Sequence, residues 1–251
     1  YISIMANADI AVVILAAGKG TRMKSARSKV LHSVAGRPLL GHVLDTTMEL
    51  KPDRIVVVVG PDMADVEAAA APHAIVHQPK QLGTADAVKA ARDSLADFNI
   101  GTVFVLYGDS PFIGVDTLEK MAAERDRGAG IVLLGFRPDN PATYGRLIID
   151  DAGCLQRIVE FSDASKAERA VTLCNSGVLA IDAAVLYRLV DAVDNDNSKG
   201  EFYLTDIIGL AREDNINCTV VEASAEELQG VNSRSDLAEA EAFWQARRRR
   251  Q

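Results

Sequence analysis

Short apolar runs recur along the chain at a nearly even beat. Residues 10–15, 54–60, 74–77 and 102–107 are rich in Val, Ile and Leu with little polar alternation, as strands are when helices cover both faces of their sheet. Around them, residues 38–49, 63–71, 84–94 and 115–127 carry helical spacing, and Pro38 and Thr84 stand where a first turn favours them. Strand and helix alternating in this way predict βαβ units and a parallel sheet. From Gly145 the beat changes. Strand-like segments at 146–149, 155–161 and 173–181 are parted by polar turns, and helical patterns return at 183–193, 205–214 and 237–249 around a last strand near 218–222. The whole reads as an α/β fold whose central sheet is mixed but mostly parallel, with helices on both faces and a smaller second lobe. No internal repeat or low-complexity linker separates the parts, so the lobes are expected to share a sheet or pack directly.

Composition narrows the class. With 251 residues, 48% hydrophobic and 25% charged, the chain can bury a sizeable core. No apolar stretch approaches the roughly 20 residues of a membrane span, so a soluble protein without a membrane partner is expected. A formal net charge of -8 argues against a nucleic-acid polymer, whose phosphates are held by excess Lys and Arg. The basic run Arg247, Arg248, Arg249, Arg250 reads as a solvated tail or cut linker. Residues 1–9 have neither the basic start nor the apolar core of a secretory leader, and those before Met5 read as a tag remnant. Cys154, Cys174 and Cys218 form no CxxC pair and read as reduced thiols. His32, His42, His73 and His77 lack metal-ligand spacing.

The first strand runs straight into Leu15-Ala16-Ala17-Gly18-Lys19-Gly20-Thr21-Arg22-Met23. Small side chains there leave backbone N–H groups open to an anion, which makes the loop a candidate phosphate cradle. It lacks the GK[ST] of a P-loop and the GxGxxG of a dinucleotide fold, and the second absence speaks against a hydride-transferring enzyme. Arg22 and Lys29 follow closely, a guanidinium fork and a point charge of the kind a triphosphate needs.

This loop, together with Lys29-Val30-Leu31-His32 and Gly36-Arg37-Pro38-Leu39, resembles the signature of the sugar-1-phosphate nucleotidyltransferases. Gln78-Pro79-Lys80-Gln81-Leu82-Gly83-Thr84-Ala85-Asp86-Ala87 resembles their base-recognition segment, and Tyr107-Gly108-Asp109-Ser110-Pro111 their metal-binding turn. Then follow Tyr144-Gly145-Arg146, Ile158-Val159-Glu160, Asn175-Ser176-Gly177, Gly200-Glu201-Phe202-Tyr203-Leu204-Thr205-Asp206 and Gly230-Val231-Asn232-Ser233-Arg234. In this order they are similar to the uridyltransferase half of the bacterial bifunctional enzymes that acetylate glucosamine-1-phosphate and couple it to UTP. The resemblance covers residues 10 to about 242.

It implies a Rossmann-like nucleotide-diphospho-sugar transferase fold. Residues 10–235 would form the uridyltransferase domain, with a nucleotide-binding part near 10–140 and a sugar-binding part near 141–235, and residues 236–251 would begin a connector helix. The implied reaction is transfer of UMP from UTP to N-acetylglucosamine-1-phosphate, giving UDP-N-acetylglucosamine and pyrophosphate for cell-wall precursor synthesis in the cytoplasm, with magnesium (Mg2+) as cofactor. The family's β-helix of hexapeptide repeats, which carries acetyl transfer and most of the homotrimer contact, does not follow in these residues, so no acetyltransferase activity is expected of them.

Carried over residue by residue, Arg22, Lys29 and Asp109 form the implied catalytic set, and Asp109 with Asn232 the implied metal site. On physical grounds Asp109, at the end of a buried strand, suits a metal ligand and a turn former alike. Asn232 would equally serve as a helix cap before Ser233. Leu15, Ala16, Ala17, Gly18, Lys29, Gln78, Gly83, Thr84, Tyr107, Gly108 and Asp109 would bind the nucleotide. Gln78 and the Gly83-Thr84 backbone can offer donors and acceptors to a planar uracil edge, and Thr84 also suits the cap of its helix. Gly145, Glu160, Asn175, Tyr203, Thr205 and Asn232 would line the sugar pocket, where hydrogen bonds to hydroxyls and the acetamido group discriminate sharply.

The chain departs from the family pattern at Ser28, where a proline commonly precedes the lysine, at Phe112 and at Phe161-Ser162; none is an implied ligand. Two other functions fit the same fold: a relative with another base or sugar phosphate, and a catalytically idle nucleotide-sugar sensor. The sensor should have lost Arg22, Lys29 or Asp109, and all three are present.

Overall fold

A computed structural model describes residues 9–141, 144–197 and 199–249; the leader 1–8 and Arg250 lie outside the described residues. In chain order the first part holds β1 (Ile10–Leu15), β2 (Ser33–Val34), β3 (Arg37–Pro38), α1 (Leu39–Glu49), β4 (Arg54–Val59), α2 (Ala64–Ala70), β5 (Ala74–His77), α3 (Thr84–Ala90), β6 (Thr102–Tyr107) and α4 (Val115–Asp126). After these come β7 (Ile131–Phe136), β8 (Arg146–Ile149), β9 (Leu155–Val159), α5 (Lys166–Arg169), β10 (Cys174–Asp182), α6 (Ala183–Ala192), α7 (Ile207–Glu213), β11 (Cys218–Ala223) and α8 (Arg234–Arg248).

Among the described residues nine strands make one sheet in the order β11-β7-β10-β6-β1-β4-β5, with β8 and β9 extending from β10, while β2 and β3 pair separately. Neighbours on the main path are parallel except at β10, which runs antiparallel to both β6 and β7. The sheet is thus mixed and mostly parallel, and strands from both parts of the chain share it.

The lack of polar alternation has its cause in two cores. Ala11, Val13 and Leu15 of β1 face α3, α6 and α7, whereas Val12, Ile14 and the following Ala16 face α1, α2 and α4. Each such Val or Ile contributes roughly 1.5–3 kcal/mol on burial, which leaves no place for a polar side chain on either face. A third apolar cluster joins Val34, Leu39, Phe112, Val231 and Ala240 to Phe243 and Trp244 of α8. Phe243 meets the Phe112 ring edge-on at 5.0 Å, and Trp244 lies 4.7 Å from His42, so this histidine is a packing residue.

Several boundaries differ from the sequence expectation. The strand β7 falls in a stretch the apolar pattern left unassigned, yet all six of its residues are buried between β10 and β11. Helix α3 stops at Ala90, short of residue 94. Helix α8 starts three residues early, because Ser233 caps it: its hydroxyl accepts from Asp236 N–H and the Asp236 carboxylate accepts from Ser233 N–H. Among the described residues no helix is long and apolar enough to cross a membrane.

Candidate active site

Leu15 pairs in register with Val58 on one side and Tyr107 on the other, so β1, β4 and β6 end at one level. The loop after β1 stays tied to that edge, since Ala16 N–H donates to Val58 O at 2.8 Å and Gly108 N–H donates to Leu15 O at 3.0 Å. Above the edge opens a cleft of about 430 Å³ lined by Leu15, Ala16, Ala17, Gly18, Lys29, Gln78, Gly83, Thr84, Tyr107 and Asp109. Every residue expected to meet nucleotide therefore borders one cavity, except Gly108, which is buried.

At one end of the cleft Gln78 is nearly fully buried and its amide donates to Gly83 O at 2.8 Å and to Asp86 Oδ2 at 2.7 Å. Both donors are thus used within the protein, which narrows the expected donor-and-acceptor role to the acceptor Oε1. Thr84 does not cap its helix. Its hydroxyl accepts from Leu204 N–H at 2.9 Å and pairs with Tyr107. Gly83 has φ +131°, and a Cβ there would stand 2.4 Å from Phe202 O. That contact is the crossing of two chains: Phe202 N–H donates to Leu82 O at 2.8 Å, and Ala85 N–H to Phe202 O at 2.9 Å.

The charged groups gather at the mouth. Lys29 opens a short 3-10 turn and lies against Gly20, whose φ of +60° and missing Cβ allow the approach; a Cβ would sit 2.6 Å from that of Lys29. Lys29 Nζ forms an ion pair with Asp109 Oδ2 and donates to Asn232 Oδ1 at 3.0 Å, and Arg22 Nη2 donates to the same Asn232 oxygen at 2.9 Å. Asp109 and Asn232, remote in sequence, are held together by Val231 N–H donating to Asp109 O at 2.9 Å. Side chains of Lys29 and Asp109 are only 15% and 13% exposed, so charge interactions here are stronger than at an open surface. Ser233, not Asn232, caps α8, which leaves the Asn232 side chain to this cluster.

Of the expected sugar residues Asn175 lies in β10, while Gly145 immediately precedes β8 and Glu160 immediately follows β9. Asn175 N–H donates to Gly145 O at 2.9 Å, and a Cβ on Gly145 would stand 3.4 Å from Glu160 Oε1. The β10–β7 register slips between Asn175 and Leu179, a bulge that re-aims side chains. Within it Gly177, at φ +87°, approaches the Tyr107 ring so closely that a Cβ would stand 2.8 Å from ring Cε2. Burial pushes the Tyr107 phenol up, and the Asp109 charge adds to this, so the hydroxyl stays protonated. Burial likewise pushes the Glu160 carboxyl above the usual value, partly opposed by the Lys199 charge. Tyr203 is half-buried with Lys199 over its ring at 5.8 Å, and its neighbour Phe202 is the one that packs on the core. Thr205 is half-buried in the following 3-10 turn.

Five cleft residues were not among the expected site residues: Lys19, Val30, Gln81, Ala87 and Glu201. Gln81 donates to Ala17 O from a left-handed backbone (φ 49°). Its place in the quoted 78–87 segment was the available signal.

A family profile described as MobA-like NTP transferase domain matches residues 12–197. The chain belongs to this family. The transferase is 54% identical over 247 residues to the bifunctional protein GlmU of Paramagnetospirillum magneticum, covering 98% of this chain and 55% of that protein. With the bifunctional protein GlmU of Rhodospirillum rubrum it shares 54% identity over 241 residues, covering 95% and 54%. It therefore spans about half the length of the curated relatives it matches. A solved Bacillus anthracis structure with bound sucrose, described as a glucose-1-phosphate thymidylyltransferase, superposes with a TM-score of 0.75 at 20% identity, covering 93% of this chain and 94% of that one. At that identity the likeness shows the fold shared by this nucleotidyltransferase, not its substrate.

Proposed function

We propose that the chain transfers UMP from UTP to N-acetylglucosamine-1-phosphate, releasing pyrophosphate and forming UDP-N-acetylglucosamine, as a cytoplasmic enzyme. The observation that carries this reading is the convergence of Arg22, Lys29, Asp109 and Asn232 beside one cleft that Gln78, Gly83 and Thr84 also line. Two relatives above 50% identity, named as the bifunctional protein GlmU, support it.

In the proposed step an oxygen of the sugar phosphate attacks the α-phosphorus in line with the departing pyrophosphate. One P–O bond forms as the α–β bridging bond breaks, and the bridging oxygen keeps the electron pair. The nucleophile is already anionic, so no side chain need act as base. Positioning and charge supply most of the acceleration. Lys29 and Arg22 would offset charge on the reacting and leaving phosphates. Gln78 Oε1 would accept from uracil N3–H, a donor that cytosine lacks.

Asp109 and Asn232 fit magnesium. One ammonium reaches an oxygen of both, so the two hard donors converge on a common point. Among the described residues no three His, Cys, Asp or Glu side chains form a metal cluster, which suits an ion that takes its remaining ligands from phosphates and water. Magnesium held there would neutralise phosphate charge.

The test is pyrophosphate release from UTP with N-acetylglucosamine-1-phosphate, against glucosamine-1-phosphate, glucose-1-phosphate, CTP and dTTP. Release confined to UTP and the acetylated sugar supports the reading; activity with another pair replaces the substrate, and silence with all pairs favours a sensor. The raised Glu160 pKa adds a pH signature. As pH falls through that raised value the carboxylate protonates earlier than a free Glu and loses its charge-assisted acceptance from sugar hydroxyls. The difference, about 1 kcal/mol, should raise KM for the sugar phosphate about fivefold. Glu160→Gln should show no such rise, and the ratio of the two profiles cancels the sugar phosphate's own titration.

A further inference from the structure

Within the segment 230–234 Asn232 joins the charged cluster and Ser233 caps α8, which leaves Arg234 to be explained. Arg234 opens α8, and its guanidinium reaches back to the loop after β1: Nε donates to Met23 O at 3.0 Å and Nη2 to Lys24 O at 3.3 Å. Those carbonyls end the 3-10 turn Thr21–Met23 that carries Arg22, and the last carbonyls of such a turn have no partner within it. Gly20 and Lys24 bracket the turn in the left-handed region, at φ 60° and 47°, so a non-glycine residue holds a costly conformation at its exit. A guanidinium on both carbonyls satisfies them and complements the negative end of the turn.

The clamp is reciprocal. Arg22 Nη2 reaches the other way, to Asn232 Oδ1 at 2.9 Å, so turn and helix start are stapled twice in opposite senses. The helix is the firmer partner, closed by the Ser233–Asp236 capping box and anchored farther along by Phe243 and Trp244. Met23, fully buried, fixes the turn from below.

We propose that Arg234 is a positioning residue: by holding the Met23 and Lys24 carbonyls it sets where the Arg22 guanidinium stands over the reacting phosphates. The kinetic part of this inference rests on the transfer proposed above; the structural part does not. Two measurements separate them. In Arg234→Ala, amide exchange at Met23 and Lys24, whose N–H groups bond Gly20 O and Thr21 O, should quicken about tenfold while the global unfolding midpoint stays in place. In turnover assays kcat should fall on the order of tenfold, with KM for the sugar phosphate unchanged. Arg22→Ala should absorb most of that loss, so the double variant is far from additive.

Arg234→Lys, which keeps the charge and gives up the two-pronged bond, should recover part of both signals. It also serves if the Ala variant does not fold. Unchanged exchange at Met23 and Lys24, or full additivity with Arg22→Ala, overturns the positioning role. Should the wild type show no turnover with any pair, the transfer reading falls, and the exchange measurement still decides whether Arg234 holds the turn.

Discussion

Asp109→Ala is expected to lower kcat on the order of a thousandfold, with the thermal midpoint close to that of the wild type. The carboxylate follows β6 at the sheet's carboxyl edge, 13% exposed, paired with Lys29 and beside Asn232. Losing it removes the anionic half of the proposed metal site and the counter-charge of a largely buried lysine at once. The fold should survive for a local reason. The bond that ties this loop to residue 231 uses the Asp109 backbone carbonyl, which alanine keeps, and Lys29 retains the Asn232 oxygen. Asp109→Asn separates oxygen from charge, and its residual rate should lie between the two. The measurement is pyrophosphate release across a magnesium titration, beside circular dichroism. Wild-type turnover in a folded Asp109→Ala protein would remove Asp109 from the metal site and leave Asn232 without a partner there.

What sequence made legible and what it hid follow from the range of the forces involved. The loop 15–23 was readable because its rule is local: a fully buried strand, small residues, then cations within a few positions. The strands β1, β4, β5 and β6 were readable for the same reason, but their order β6-β1-β4-β5 became visible only in the folded chain. Strand β7 was passed over because IVLLGF, six apolar residues in a row, carries no periodicity to tell a buried strand from a piece of buried helix. Only its place between β10 and β11 decides. Thr84 and Gln78 both border the cleft, but Thr84 does not cap its helix and the internal partners of both were not foreseen. The hydroxyl of Thr84 meets Leu204 N–H, and Gln78 spends both donors on Gly83 and Asp86. Contacts of that kind depend on where the 200–206 loop crosses Gly83, which no spacing rule states. The meeting of Asp109 and Asn232 came from resemblance alone, and the physical link, Val231 N–H to Asp109 O, became visible in the folded chain.

Lys29→Ala is expected to lower kcat about a hundredfold while KM for UTP changes only a few-fold. Lys29 carries a single mobile ammonium at the junction of Asp109, Asn232 and the cleft, where its charge is best placed to follow phosphate charge as it shifts in the transition state. An interaction gained only there appears in kcat, whereas one made equally with bound UTP appears in KM. The variant is a clean probe of charge, because Gly20 approaches Lys29 at its Cβ, which alanine preserves, so the turn keeps its packing. Lys29→Arg should restore little: a planar guanidinium does not fit a position 15% exposed and shaped for a compact ammonium. Combined with Asp109→Ala the losses should not add, since each residue is the other's partner. Should Lys29→Ala instead raise KM for UTP with kcat unchanged, Lys29 binds ground state and transition state alike, and the charge on departing pyrophosphate falls to Arg22, held in place from α8.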